Sequence, residues 1–499
     1  MLGALGAGIG ITLITQFLLP PAFLHFYGVS KYGEWLVLSS TLSYLGTLNF
    51  GITTYASNEL TILRKRNEMA RYRELQGSTL ALLLGLIVVG ILLSACTLIL
   101  PIASLLHLST ISPLTARLTA FFLGLQMIAQ IFLGYYNNMF MVVEEAHRGL
   151  TWYNARRLSV VLTVLPLAMM RASFSVIAFS QFAAVMIVAL LTILDLKKRL
   201  NGLPLGLQGA NWKTAKSTLA PSGQFAMIYA QGFLTYQAPV ILLQWILGPE
   251  IVVLFSISRT VLATARQMLQ VLTNAIAPEI TFSFAERDMK KLLNLFHYSE
   301  KVIFGLIPVA NLGTFLFSPV LLEIWLHKPR LFEPFTYALM ALISGAMSMR
   351  DHKQFFQFST NTHKQLSMIV FFGNLLMVGV SIPFTMLFGL HGFMFVWLVS
   401  EFTQMGLIYR ENRKLFNNDP SINYIPVIKL CLVMLVSLPL CIELVHYARQ
   451  HSLLIVAAAA TAGTLGLIVE CYFVFGLKEV WRELWRRLRR RALGNPVQA

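Results

Sequence analysis

The sequence predicts an all-α integral membrane protein with about fourteen transmembrane helices: two six-helix lobes followed by two additional helices. The composition is 56% hydrophobic and only 12% charged, whereas a soluble globular protein carries about 25% charged residues. Apolar segments such as 78–102 reach the roughly 20 residues that a bilayer core requires. Basic residues are also distributed unevenly between alternate loops, as membrane topology demands. These three observations exclude a water-soluble fold.

The predicted spans follow one another with short connections. Fourteen hydrophobic segments are recognised in chain order: 3–24, 34–56, 78–103, 115–142, 153–170, 173–195, 222–246, 250–280, 300–326, 334–360, 366–388, 391–409, 426–447 and 452–476.

The basic residues set the predicted orientation. Of the 39 Lys and Arg residues, 31 lie on one side of the predicted membrane and six on the other, while Arg259 and Arg266 fall within a span. The positive-inside rule then places both termini and the larger loops in the cytoplasm. The net charge of +17 therefore indicates topology and contact with membrane lipids, and no nucleic-acid partner is expected.

An internal repeat indicates the two lobes. A shift of 220 residues aligns the start of the chain with its middle at equal hydropathy positions. Six predicted spans separate the copies, so both lobes share one orientation and are related by a pseudo-two-fold axis along the membrane normal. The aligned positions include Gly28 with Gly248, Trp35 with Phe255, and Thr53 with Thr273.

The repeat defines four predicted regions. The stretch 200–223 has the Gly, Pro and polar composition of a linker between lobes. The tail carries Trp481 and Trp485 among six arginines, which is typical of a basic amphipathic helix on an anionic membrane surface. The regions are an N-terminal lobe at 1–210, a C-terminal lobe at 218–410, two extra helices at 411–476 and the cytoplasmic tail at 477–499.

Charged residues within the eighth span are the strongest functional candidates. Arg259 and Arg266 are seven residues apart, which places them on one helical face and about 10 Å apart along the axis. Gln270 extends the same stripe. A lipid-facing arginine at mid-depth would cost at least ~2.5–3.5 kcal/mol, so this face is expected to contact protein or a hydrated cavity.

Other polar residues are predicted to complete that cavity. A positive cavity suits an anionic substrate, because arginine binds phosphate or carboxylate oxygens through paired donors. Transporters with two repeated lobes bind substrate near the midplane between them. The alternative is a structural role, in which Arg259 or Arg266 pairs with a buried acid such as Glu323 or Glu401. The additional cavity candidates are Gln16, Asn49, Gln231 and Gln237.

Acidic residues within the spans are few, which disfavours a cation-coupled or proton-coupled exporter without excluding it. Glu401 is the best candidate for a proton relay, although a structural, hydrogen-bonded glutamate is the stronger interpretation. Arg350, Asp351 and His352, at the cytoplasmic end of the tenth span, are interpreted as a local ion pair and not as a gate.

Signals for catalysis are lacking. The sequence contains no Gly-Lys dipeptide, and therefore no nucleotide-binding loop of the Walker A type. Its ten histidines are scattered and include no HxxxH zinc pair. We therefore predict no catalytic residues, no metal and no cofactor.

Several short motifs resemble a known family. Residues 27–35 read Tyr-Gly-Val-Ser-Lys-Tyr-Gly-Glu-Trp and 48–52 read Leu-Asn-Phe-Gly-Ile. In the second half, 247–250 read Leu-Gly-Pro-Glu and 277–280 read Ala-Pro-Glu-Ile. These motifs resemble the polysaccharide transporters, or O-antigen flippases, of the multidrug/oligosaccharidyl-lipid/polysaccharide exporter superfamily. Asn49 departs from the family, which often has aspartate there.

The resemblance implies a flippase of the bacterial cytoplasmic (inner) membrane. Such a protein moves an undecaprenyl-diphosphate-linked oligosaccharide to the outer leaflet by alternating access, for O-antigen, lipopolysaccharide or exopolysaccharide synthesis. The implied partners are the lipid-linked oligosaccharide, a polysaccharide polymerase and glycosyltransferases. Two alternatives stay open: an ion-coupled small-molecule antiporter of the same superfamily, and a membrane glycosyltransferase or polymerase.

Overall fold

The computed structural model describes residues 2–49, 51–200, 202–360, 362 and 364–478. Every regular element within these ranges is helical, which confirms the predicted all-α class. The segment 479–499, with most of the predicted amphipathic tail helix, lies outside the described residues. By packing, the chain forms two compact units, Met1–Val253 and Leu254–Ala499.

The first unit contains ten α-helices among its described residues and the start of an eleventh. A short 3-10 helix at Tyr44–Asn49 separates the second from the third. The ten helices are α1 (Leu2–Phe26), α2 (Val29–Ser43), α3 (Ile52–Lys65), α4 (Met69–Cys96), α5 (Ile102–Leu105), α6 (Pro113–Val142), α7 (Ala146–Met169), α8 (Phe174–Lys197), α9 (Trp212–Tyr236) and α10 (Ala238–Leu247).

The second unit takes most of the eleventh helix and six others within its described part. Gly389, with φ 61° and ψ −146°, divides one long helix into two arms, 364–388 and 390–415. These are called the first and second arm of α15. The helices are α11 (Pro249–Ala275), α12 (Ala277–Ala285), α13 (Met289–Leu326), α14 (Pro334–Ser359), α15 (Lys364–Leu415), α16 (Ile425–Ala448) and α17 (Leu453–Val474).

Eight of the described helices are long and apolar enough to cross a membrane, and a shorter apolar helix covers Gly10–Phe26. One of the eight is α15, whose two arms coincide with two predicted spans. The predicted span 34–56 is divided into α2, the 3-10 helix and α3, with Gly51 left-handed at φ 69°. Such breaks leave fragments below the length of a span, and the count of fourteen stays a prediction.

Many large apolar side chains are exposed on the protein surface, as expected for a protein embedded in a bilayer. Leu92, Leu387 and Leu454 are 61%, 74% and 81% exposed. In water such surface would be unfavourable, at about 25 cal/mol per Å² of apolar area. In a bilayer the same side chains meet acyl chains, so these faces are compatible with the multi-pass topology.

Backbone geometry supports the sequence repeat. Left-handed backbone conformations are uncommon for residues other than glycine, and in this chain they recur at a shift of 220 residues. In each half they occur next to helix termini. The recurring pairs are Gly28 and Gly248 (φ 82° and 86°), Asn67 and Arg287 (58° and 58°), and His107 and His327 (50° and 50°).

Each unit also contains an aromatic cluster, and the two clusters share one aligned position, Trp35 and Phe255. In the first unit the Trp35 ring lies 5.4 Å from that of Phe23 and 5.1 Å from that of Phe174. The residue aligned with Trp35 is Phe255, whose ring lies 5.9 Å from that of Trp397 in the second unit.

The compact units end at a different place from the predicted lobes. α9 packs against α3 and α4, and α10 packs against α2. Residues 212–247 therefore belong by packing to the first unit, although the repeat aligns them with α1. The lobes 1–210 and 218–410 describe the sequence repeat and remain a prediction.

Candidate functional site

The predicted arginine stripe lies on α11 within the second unit. Arg259 and Arg266 are both partly buried, although they lie inside a helix that qualifies as a membrane span. The guanidinium carbon of Arg259 lies 5.1 Å from the centre of the Phe255 ring. A cation over an aromatic face is stabilised by the ring quadrupole, so Phe255 helps to keep this charge inside the protein.

Arg266 is bound to α14. Its Nε lies 3.7 Å from Oδ2 of Asp351, and its Nη1 lies 3.2 Å from the sulfur of Met347. Gln270 Nε2 donates a hydrogen bond of 2.7 Å to the same Asp351 oxygen. One carboxylate on α14 therefore holds two members of the stripe on α11.

Arg350, one residue before Asp351, binds to the second arm of α15. Its Nη1 lies 2.8 Å from Oε2 of Glu401 and donates a 3.1 Å hydrogen bond to Oε1 of Gln404. Trp397 Nε1 donates to the other Glu401 oxygen at 3.0 Å. Glu401 is fully buried and Arg350 is 4% exposed. Arg266, Gln270, Arg350, Asp351, Glu401 and Gln404 together form what we call the charged network.

The electrostatics of the charged network are balanced. Two guanidinium groups face two carboxylates, which lowers the cost of keeping all four inside a membrane-spanning unit. Arg350 Nε and Glu401 Oε2 have no hydrogen-bond partner within the described part of the chain. The 2.8 Å contact between Arg350 and Glu401 is therefore an ion pair without an aligned hydrogen bond.

The ion pair predicted between Arg350 and Asp351 is present but long, at 4.0 Å. Asp351 lies closer to Arg266, at 3.7 Å, and accepts the hydrogen bond from Gln270. The closest cation to Glu401, which is an alternative partner for the stripe, is Arg350. The reason is geometric: successive helical residues point about 100° apart, so Arg350 and Asp351 face different helices.

The remaining predicted cavity residues belong to the first unit. Asn49 accepts a hydrogen bond from the Thr53 amide at 3.3 Å and donates to the Thr53 hydroxyl at 3.0 Å, so it caps the start of α3. Gln16 Oε1 is buried without a hydrogen-bond partner among the described residues. Gln231 and Gln237 are partly buried, and Gln237 lies between α9 and α10.

Sequence reasoning missed a second buried charge cluster. Lys353, fully buried, forms an ion pair with Glu300 on α13, and its ammonium lies 3.9 Å from the centre of the Phe296 ring. His352 Nε2 lies 2.9 Å from the Ser299 hydroxyl. Glu300 and Lys353 lie near the ends of the predicted spans 300–326 and 334–360, and the sequence assigns neither of them a partner. The helical periodicity that continues through α13 and α14 is the signal that places them inside the fold.

No group of His, Cys, Asp or Glu among the described residues is placed to hold a metal ion.

No protein-family model and no curated protein matches the sequence. Solved structures match the fold. The lipid II flippase MurJ in an inward closed conformation matches with a TM-score of 0.70 and 9% identity, over 97% of this chain and 100% of that chain. An inward-facing multidrug resistance MATE family transporter of the MOP superfamily matches with a TM-score of 0.65 and 12% identity, over 82% and 98%.

A third match is a MOP superfamily transporter from Pyrococcus furiosus, described as having a binding pocket of reversed polarity. Its TM-score is 0.52 at 13% identity, covering 82% of this chain and 95% of that chain. These matches include both flippases and multidrug transporters. This chain therefore has the fold that transporters of the MOP superfamily share.

Proposed function

We propose that this protein is a flippase that moves a polyprenyl-diphosphate-linked oligosaccharide across the bacterial cytoplasmic membrane. The observation that carries the proposal is the pair of guanidinium groups of Arg259 and Arg266 on α11, a helix long and apolar enough to cross a membrane. Ionisable groups inside a membrane are costly and mark sites of transport or binding. Arginine in particular binds phosphate oxygens through paired donors.

The charged network suits reversible binding of a diphosphate. Asp351 Oδ2 lies 3.7 Å from Arg266 Nε, and a guanidinium that pairs with a carboxylate can pair with phosphate oxygens through the same donors. An incoming anion competes with this carboxylate, and Asp351 re-forms the ion pair when the anion leaves. Such an exchange keeps Arg266 compensated in both states, which favours release as well as capture.

The proposal extends to location and partners. We place both termini in the cytoplasm on the distribution of basic residues, with the substrate entering from the cytoplasmic leaflet. A lipid-linked oligosaccharide has to be assembled by glycosyltransferases before it is moved and joined by a polymerase afterwards, so these enzymes are the proposed partners.

The direct test is the double substitution Arg259→Ala with Arg266→Ala. We expect polysaccharide export to be lost while the protein still reaches the membrane, because the stripe no longer holds the diphosphate. The matched control is Arg330→Ala, which removes an exposed arginine of a short 3-10 helix and should leave export unchanged. Normal export by a well-expressed double variant would refute the assignment.

A second candidate is an ion-coupled antiporter, and the observation that favours it is the fully buried Glu401. A carboxylate in such a place can bind and release a coupling proton. The two candidates differ in substrate. An antiporter would extrude small cationic compounds in exchange for protons that enter down their gradient. Glu401→Gln would abolish that efflux. The flippase proposal expects no such efflux from the wild-type protein.

A further inference from the structure

An apolar groove lies between the two arms of α15, with a cavity volume of about 520 Å³. Both arms belong to a helix that qualifies as membrane-spanning, so the open side of the groove faces hydrocarbon. Phe372 and Leu376 on the first arm are 53% and 67% exposed. The residues that bound the groove include Met368, Phe372 and Leu376 from the first arm and Val396, Val399 and Leu407 from the second.

Gln404 forms a polar floor in this groove. It is 1% exposed, and its Nε2 donates to Asn374 Oδ1 at 3.1 Å and to the Ser400 hydroxyl at 3.0 Å. A Cβ at Gly373 would lie 2.7 Å from Gln404 Cγ, so the glycine is what allows the first arm to approach the floor.

The floor joins the groove to a buried cation with donor capacity left. Gln404 Oε1 accepts the hydrogen bond from Arg350, whose Nε has no partner within the described ranges. Arg350 therefore contacts a residue that lines the groove. An apolar channel open to lipid and a buried guanidinium therefore meet at Gln404.

The depth of this junction in the membrane indicates which kind of lipid the groove can hold. Gln404 lies five residues before Tyr409, where the apolar part of the second arm ends, which corresponds to about 8 Å along the helix. The hydrocarbon core is about 30 Å thick, so the junction lies within the core but closer to one membrane surface than to the midplane. The phosphates of resident phospholipids stay at the membrane surface, whereas a translocated lipid carries its phosphates past this depth.

We propose that the groove holds the isoprenyl chain of the transported lipid while its diphosphate passes the charged network. This inference rests on the proposed function, and it adds where the hydrocarbon part of the substrate is held. Met368, Phe372, Leu376 and Val399 would contact the chain. Gln404 lies at the end of the groove where the isoprenyl chain would be joined to its diphosphate.

Site-specific photo-crosslinking tests the proposal. The full-length protein carries p-benzoylphenylalanine in place of Leu376 and is placed in nanodiscs of phosphatidylethanolamine and phosphatidylglycerol doped with radiolabelled undecaprenyl diphosphate. The control carries the same probe in place of Leu375, which is 47% exposed at the same depth and does not line the groove. We expect several-fold more capture of the isoprenoid at position 376. Equal capture at both positions would show a surface that contacts bulk lipid only.

A groove-filling variant provides the second test. Val399→Trp occupies the groove from the second arm and should abolish isoprenoid capture by the probe at position 376. The matched variant Phe395→Trp lies one turn away on the same arm at 54% exposure, outside the lining residues, and should leave capture unchanged. Undiminished capture in Val399→Trp would overturn the proposal.

Failure of this inference can be told apart from failure of the proposed function. Capture is measured without translocation. Loss of export on substitution of Arg259 and Arg266, combined with no preferential capture in the groove, would leave the flippase assignment standing and reject the groove. Preferential capture combined with normal export by the arginine double variant would reject the assigned role of the stripe.

Discussion

At the residue scale, the second unit is organised by charges that compensate one another. Arg350 and Glu401 are almost completely buried and 2.8 Å apart. Removing one partner of a buried ion pair costs about 3–5 kcal/mol, because it leaves the other charge uncompensated, whereas replacing both by apolar residues is close to neutral. The pair should therefore show strong energetic coupling.

We predict that Arg350→Met lowers the stability of the protein by about 3 kcal/mol or more. The double substitution Arg350→Met with Glu401→Leu should recover most of this loss. The measurement is the thermal unfolding midpoint of each purified variant in one detergent, with Glu401→Leu completing the double-mutant cycle. Strictly additive losses from the two single substitutions would show that the ion pair makes no energetic contribution.

Part of the charged network followed from the sequence and part did not. The spacing of Arg259, Arg266 and Gln270 places them on one face of any helix, and the structure has them on α11. Asp351 could not be assigned to Arg266, because the two lie on different helices and local periodicity carries no information about which helices are neighbours.

At the element scale, small residues allow helices to pack with their backbones close together. Gly149 on α7 faces α6, where a Cβ would lie 2.4 Å from the carbonyl oxygen of Asn137. A Cβ at Gly134 on α6 would meet no atom within 4 Å. The two glycines therefore differ in packing although both occur within the same helix pair.

We predict that Gly149→Ala destabilises the protein by about 1–3 kcal/mol, the usual cost of overpacking. Gly134→Ala should be neutral or stabilising by up to about 1 kcal/mol, because alanine favours a helix more than glycine does. Thermal unfolding of the two variants beside the wild type gives the comparison. Equal midpoints for both variants would mean that α6 and α7 are not packed as the structure has them.

The elements themselves were predicted well where hydropathy alone decides them. α6, α8, α16 and α17 coincide with predicted spans to within two residues, whereas α4 begins nine residues before its predicted span. The exceptions are segments in which the backbone breaks inside an apolar stretch: the left-handed Gly51 splits 34–56, and 222–246 is divided between α9 and α10 at Gln237. A local change of backbone direction does not alter hydropathy, so the composition of these segments does not reveal it.

At the scale of the whole molecule, the recurrence of left-handed residues at a shift of 220 indicates a duplicated plan. Duplication in parallel orientation implies that equivalent loops lie on the same side of the membrane. The uneven distribution of lysine and arginine independently assigns that side. The repeat and the charge distribution together predict one topology.

We predict that the C-terminus and the loop 196–217 are cytoplasmic and that residues 327–333 are extracytoplasmic. A green fluorescent protein fused after Ala499 should fluoresce. Alkaline phosphatase fused after Arg330 should be active, and the same enzyme fused after Gly209 should be inactive. An active phosphatase after Gly209 would contradict the topology, because it would place a strongly basic loop outside.

The central claim is that the protein moves a lipid-linked, diphosphate-bearing oligosaccharide across a bilayer. The most direct measurement follows a fluorescent undecaprenyl-diphosphate oligosaccharide in proteoliposomes, by the loss of its accessibility to an external quencher. We predict faster translocation with the wild-type protein than in protein-free vesicles, and a return to the protein-free rate with Arg259→Ala and Arg266→Ala combined. Equal rates for the wild type and the double variant, or no acceleration by the wild type, would contradict the account.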